Sequence, residues 1–338
     1  MPQTNLLKSK AISKSELNGM LNQIALARSL GKSVGEGPFN WQKTRELVEE
    51  SGVLMGSKIA AAKIVSLMMC KGGVGKSTLT HLLAQRISQM GFRVLLIDAD
   101  PQGNLTATFE LENKGFEMNE STPVLMDLLS RRATFEEARI SLCDGLDLIP
   151  STPVNSMLDV VIREHYRNPA APIRELLKNL KSDYEFIFVD TAPSLNLINT
   201  AVMVASDLLI LPVMADRFSE IGANISLKEK EQIENEFSVS LAARVLLNKW
   251  DAREKSAGYY EKYYSQARFQ RFETIIKSTS EYKNIFLDKD LGAKSRVARK
   301  NREDFDGLVA ELIGHFAVSR PQISQELKSY VPKEIVTP

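Results

Sequence analysis

Residues 71–78 read Lys-Gly-Gly-Val-Gly-Lys-Ser-Thr, directly after the apolar run 64–69 and directly before a stretch with helical spacing. A glycine turn set between a strand and a helix start is a cradle for phosphate. Gly72, Gly73 and Gly75 carry no Cβ, so the loop can wrap its N–H groups around phosphate oxygens, while the helix turns its unpaired N–H groups and positive dipole end to the same anion. In loops of this kind Lys76 sits on the β/γ-phosphates and Ser77 on Mg²⁺, and Val74 and Thr78 complete the expected contact. The plainer alternative is a glycine-rich surface turn with two solvated lysines, which the strand-to-helix context argues against. The general pattern also wants a glycine at position 70, where this chain has Cys70.

Three polar strings follow other apolar runs. Run 94–97 leads into Asp98-Ala99-Asp100-Pro101-Gln102-Gly103-Asn104, placing two carboxylates two residues apart and hence on one side of a strand end. One acid can hold the waters of a magnesium ion and the other a nucleophilic water; the simpler reading is a capped turn. Run 186–189 leads into Asp190-Thr191-Ala192-Pro193-Ser194, one carboxylate at a strand end, as in a Walker B element. Thr191 and Pro193 read either as the start of a γ-phosphate-sensing switch loop or as the opening of the next helix. Residues 248–251, Asn-Lys-Trp-Asp, resemble a base-reading string, with an Asn amide suited to adenine and an Asp carboxylate suited to guanine, so they leave ATP or GTP open.

The elements that must hold these strings are legible too. Runs 64–69, 94–97, 146–149, 186–189, 208–213 and 245–247 are short, branched or leucine-rich and lack strict alternation, as strands buried on both faces do. Segments 77–90, 156–180, 195–205 and 220–237 carry helical spacing and are long enough for crossovers. The expected fold is α/β, a doubly wound, mostly parallel sheet, with ligands at the carboxyl ends of its strands. Residues 1–62 form an expected helical N-terminal extension, 63–316 the nucleotide-binding domain and 317–338 a tail.

With 338 residues, 43% hydrophobic and 25% charged, the chain has ordinary globular composition, and a net charge of +1 supplies no global field toward nucleic acid or membrane. Two cysteines and three scattered histidines exclude a disulfide framework and a His/Cys metal cage. No apolar run approaches a membrane span and no signal pattern opens the chain, so a cytoplasmic location is expected.

The string KGGVGKST resembles the deviant Walker A box of the ParA/MinD family of ATPases, and VLLIDADPQGN and DTAPS are similar to that family's acidic boxes. The resemblance covers residues 63–250 well. It implies a P-loop NTPase that hydrolyses ATP with Mg²⁺, with Lys71 reaching across a homodimer to the partner's nucleotide. It also implies Asp98 in the metal shell with Ser77 and Asp190, Asp100 positioning the attacking water, and Asn248 on the base. Cys70 and Cys143 do not match the cluster ligands of nitrogenase iron proteins. The tail, broken by Pro321, Pro332 and Pro338, does not match a membrane-docking amphipathic helix.

What remains is the partition branch: a nucleotide-sandwich homodimer that binds DNA nonspecifically, associates with the nucleoid and is stimulated by a ParB-type centromere-binding partner, to segregate plasmid or chromosome DNA. Lys294, Arg296, Arg299, Lys300 and Arg302 form the candidate DNA contact, on a stretch that reads equally as a solvated helix face. Segment 252–272, basic and tyrosine-rich, is a second candidate that reads also as a packed peripheral helix. The alternatives to partition are a site-specific repressor of its own operon and a positioning ATPase for a non-DNA cargo. Within the partition reading residues 1–62 are a reduced DNA-binding unit, a dimerisation arm or a docking site for the partner, the first two favoured.

Overall fold

Seven short runs pair into one sheet among the described residues. The computed structural model describes residues 62–89, 92–143, 145–178, 180, 183–278 and 296–317. In chain order the elements are β1 (Lys63–Leu67), α1 (Lys76–Gln89), β2 (Val94–Asp98), α2 (Asn104–Ala107), α3 (Leu125–Leu129), α4 (Phe135–Ala138), β3 (Ile140–Cys143) and β4 (Leu146–Ile149). Then come α5 (Leu158–His165), α6 (Ala171–Lys178), β5 (Phe186–Asp190), α7 (Leu197–Ala205), β6 (Leu208–Val213), α8 (Arg217–Phe237), β7 (Ala242–Leu247), α9 (Ala257–Tyr264) and α10 (Arg296–Ala317).

The strands lie in the order β3-β4-β2-β5-β1-β6-β7, and all pairings are parallel except that of β3 with β4. Because a strand's side chains alternate, each central strand feeds two cores. Val65, Leu96, Phe188 and Ile210 pack with Leu79, Leu83 and Ile87 of α1 and with Phe305, Leu308 and Leu312 of α10. Ile64, Leu95, Ile97, Ile187 and Val189 pack on the other face, with α3, α5, α6 and α7. This double coverage is why the strands read as continuous apolar runs, and it establishes the doubly wound α/β fold.

The expected helix over 156–180 is two helices. Asn168 and Pro169 interrupt it: the Asn168 side chain accepts from Ala170 N at 2.9 Å and its carbonyl from Ala171 N at 3.1 Å, a local turn that competes with helix continuation. The helix expected from 220 begins at Arg217, because the Asp216 carboxylate accepts from Ser219 N at 2.9 Å and caps it. Strand β3 was not expected; it is a short antiparallel edge whose burial alternates.

The amphipathic stretch after residue 304 is helical. Arg86, buried on α1, forks onto Asp306 of α10, with Nη2 2.6 Å from Oδ2. Arg296, Arg299, Lys300 and Arg302 occupy the first turns of α10, and Lys294 lies outside the described residues. Segment 252–272 packs: Tyr260, Tyr264, Phe269 and Phe272 are buried. The expectations for residues 1–62 and 317–338 lie outside the described residues, Ala62 and Ala317 apart.

Candidate nucleotide site

Three strand ends meet where the sheet's connections reverse direction. Leu67 of β1 and Asp98 of β2 are both register partners of Asp190 on β5, so the phosphate loop and two of the acidic strings leave the sheet side by side. Asp100 follows two residues on. The structure thus brings together Lys76, Asp98, Asp100 and Asp190, which lie 114 residues apart at their extremes in the chain.

The loop has the backbone its glycines permit. Gly73 and Gly75 sit at φ +76° and +90°, where a side chain is strained, and a Cβ on Gly75 would lie 2.7 Å from Asn248 Nδ2. The Gly75 carbonyl accepts from Leu79 N at 2.9 Å, which starts α1 and leaves the N–H groups of its first turn without an intrahelical partner. Lys76 is buried at the head of α1. Burial lowers its pKa, opposed by the charges of Asp190 and Asp100.

The carboxylates differ in their company. Asp98 Oδ2 accepts from Thr106 N at 2.8 Å and Thr106 Oγ1 at 2.7 Å, and Oδ1 from Asp100 N at 3.2 Å. Burial pushes its pKa up to about 6 against those bonds. Asp100 Oδ1 accepts from Gln102 N at 2.9 Å. Asp190 is fully buried and neither oxygen has a hydrogen bond of ordinary geometry. Burial and then the charge of Asp98 raise its pKa to about 8, although the nearby Ser77 hydroxyl and Lys76 draw it down. A buried carboxylate with spare lone pairs beside a phosphate loop fits a Mg²⁺ ion. Among the described residues no three His, Cys, Asp or Glu side chains form a metal cage, so such an ion would depend on phosphate oxygens for much of its shell.

Lys71 is held within its own chain. Its Nζ donates to Asp216 Oδ2 at 2.6 Å and Oδ1 at 2.8 Å, and lies 3.2 Å from Ser219 Oγ. Partial burial opposes it, but these bonds and the Ser219 N–H hold the Asp216 carboxyl below its usual range. Asn248 lies beside the loop, its Nδ2 donating to the Val74 carbonyl at 2.7 Å. Asp251 is gripped by Arg253, whose Nη2 is 2.6 Å from Oδ2, which lowers its pKa to about 2.

Sequence reasoning missed several residues of this region. Thr106 Oγ1, besides bonding Asp98, accepts from Ser151 N at 2.9 Å; Ser151 Oγ donates to the Asp100 carbonyl at 2.6 Å; and Asn155 Nδ2 donates to Ser151 Oγ at 2.8 Å. The only signal available for Ser151 was its place just beyond the run 146–149, another strand end. Asp216 carried a cap signal, an acid three residues before Ser219, but nothing that pointed to Lys71.

Known proteins resemble this chain over the same core. A model of the AAA domain (AAA_31) matches residues 62–243, more than half of the chain. The cell division protein PomZ of Myxococcus xanthus is 25% identical over 266 residues, covering 76% of this chain and 81% of that protein. The sporulation initiation inhibitor protein Soj of Bacillus subtilis is 28% identical over 193 residues, 56% of this chain and 74% of Soj. The ATP complex of a Cyanothece McdA variant superposes with a TM-score of 0.65 at 25% identity, over 75% of this chain and 97% of that one.

Proposed function

The chain belongs to the AAA-domain family AAA_31 and, within it, to the partition branch of the ParA/MinD ATPases, and from that premise we propose a nucleotide-switched partition ATPase. The observation that carries the reading is Asp190, buried without a hydrogen bond of ordinary geometry beside Lys76 at the mouth of the phosphate loop. A carboxylate left in that state is costly unless a ligand completes it.

In this reading the 71–78 loop binds ATP. Lys76 and the loop N–H groups stabilise charge growing on the γ-phosphate, and the phosphates favour the charged form of Lys76 that burial disfavours. Ser77 and Asp190, with Asp98 beside them, would hold Mg²⁺, which supplies positive charge to the phosphates. Asp100, one oxygen anchored by Gln102 N, orients a water in line with the bond to be broken; water's oxygen joins phosphorus as the bridging oxygen leaves with ADP. Asn248 uses its amide N–H on Val74 and keeps Oδ1 as an acceptor, which suits an amino group such as that of adenine, and Asp251 is committed to Arg253 rather than to guanine.

A second copy of the chain closes over the nucleotide, and Lys71 must leave Asp216 to reach it. The closed homodimer binds DNA without sequence preference through the basic first turns of α10, and a ParB-type partner stimulates hydrolysis and release. Among the described residues no helix is long and apolar enough to cross a membrane. The test is retention on random-sequence DNA with ATP, ADP or no nucleotide at two salt concentrations, beside ATP hydrolysis, for the native protein and Lys76→Ala. Retention only with ATP, lost at high salt and absent in the variant, is the expected outcome. Binding indifferent to nucleotide, or absent, would turn the reading to an operator-binding repressor or to a non-DNA cargo.

A further inference from the structure

In a loop that points successive N–H groups at phosphate, the carbonyls must point outward, and each needs a donor there. Three successive carbonyls of this loop have one. Gly75 O accepts from Leu79 N at 2.9 Å, Val74 O from Asn248 Nδ2 at 2.7 Å, and Gly73 O from Lys249 Nζ at 2.7 Å. The first bond belongs to α1. The other two come from the end of β7, more than 170 residues further along the chain.

Lys249 is held in an uncommon conformation to do this. Its φ is +52°, in the left-handed region that glycine and asparagine occupy more readily than lysine. The flanking residues fix the turn: Asn248 N donates to Val213 O at 2.8 Å, Trp250 N to Ile276 O at 3.0 Å, and both side chains are buried. The fit against the loop is close enough that a Cβ on Gly75 would also meet Lys249 Cε at 3.6 Å. Strain of this kind persists where its surroundings impose it, and it gathers at functional sites.

We propose that Asn248 and Lys249 are positioning residues of the phosphate loop, a strap from β7 that holds the Val74 and Gly73 carbonyls outward so that the loop's N–H groups stay aimed at nucleotide phosphate. The inference rests on the reading of residues 71–78 as an ATP site. Lys249 acts through the loop backbone. Its loss weakens the grip on nucleotide and leaves the later chemistry, which belongs to Lys76 and Asp100, with little change.

Lys249→Asn and Lys249→Gly separate this role from a purely architectural one, because both residues accept the left-handed turn and neither carries the ammonium. The affinity of the full chain for N-methylanthraniloyl-ATP, its KM and kcat for ATP, and the melting temperature of the nucleotide-free protein are measured together. Both variants are expected to melt no lower than the native protein, yet to bind the analogue about tenfold more weakly, with KM raised and kcat within about twofold. Lys249→Arg, which keeps a cationic donor, should recover part of the affinity. Native affinity in the Asn and Gly variants would overturn the strap and leave Lys249 a turn residue. A native protein that binds no ATP analogue would overturn the functional reading, and the strap with it.

Discussion

Asp98 and Asp190 end neighbouring strands, are register partners and are both fully buried, yet one is enclosed by well-placed donors and the other is not. The difference lies in the loops that follow. After β2 the chain turns through Gly103, at φ +62°, into α2, which returns the Thr106 N–H and hydroxyl to Asp98. After β5 the loop's polar groups are used elsewhere: Thr191 Oγ1 donates to Leu67 O at 3.1 Å, and Asn199 Nδ2 holds the carbonyls of Ala192 and Ser194 at 3.0 and 2.5 Å. These groups return no donor to Asp190. Two identical residues at equivalent positions thus keep different company: Asp98 is bonded into the turn that carries Asp100, and Asp190 is the carboxylate that, in the proposed reading, a ligand completes.

Exchanging each carboxylate for its amide tests that division. Asp190→Asn should lower Mg²⁺-dependent ATP turnover by at least about 100-fold, equivalent to about 3 kcal/mol of barrier, while the nucleotide-free protein melts no lower than the native one. Turnover that survives the exchange would place the metal-holding role elsewhere. Asp98→Asn should instead cost about 2–4 kcal/mol of stability in a urea titration, because an amide N–H would face the Thr106 and Asp100 donors. A native midpoint for that variant would remove the organising role.

The same contrast has a pH signature. Folded Asp190 and Asp98 hold protons up to about pH 8 and pH 6, whereas in the unfolded chain they release them near 3.8. The folded state therefore binds more protons across that window, and the stability these groups contribute is fully present below about pH 4 and lost as pH rises to about 8. Melting in EDTA should show this fall, and Asp190→Asn should flatten its upper part.

The smallest expected effect is at Lys71. The Lys71–Asp216 pair is partly exposed, so Asp216→Asn, which retains a capping side chain, should change stability by no more than about 1 kcal/mol. Releasing Lys71 should nonetheless let the ATP-bound dimer form at lower protein concentration in sedimentation. An unchanged dimer threshold would mean that the pair does not hold back the closed form.

How much of this was written locally is clear from individual residues. The placement of residues 71–78, Asp98, Asp100 and Asp190 on one rim was readable because each follows an apolar run, and in a parallel sheet the ends of such runs lie together. The two-faced burial of the strands was likewise carried by their unbroken apolar character, and the buried face of α10 by its periodicity. The break at Asn168 and Pro169 was present in the sequence as turn chemistry but hidden by helical spacing on both sides.

Partners across the chain were another matter. That Thr106 closes on Asp98 and not on Asp190, that Lys71 rests on Asp216, and that Asn248 and Lys249 strap a loop more than 170 residues earlier depend on which strands become neighbours. Local sequence determined the chemistry available at each strand end, because glycine, lysine and aspartate carry their conformational and ionic properties with them. Strand order decided which of those ends became donor and which acceptor, because hydrogen bonds reach only about 3 Å and only the folded sheet brings distant residues that close.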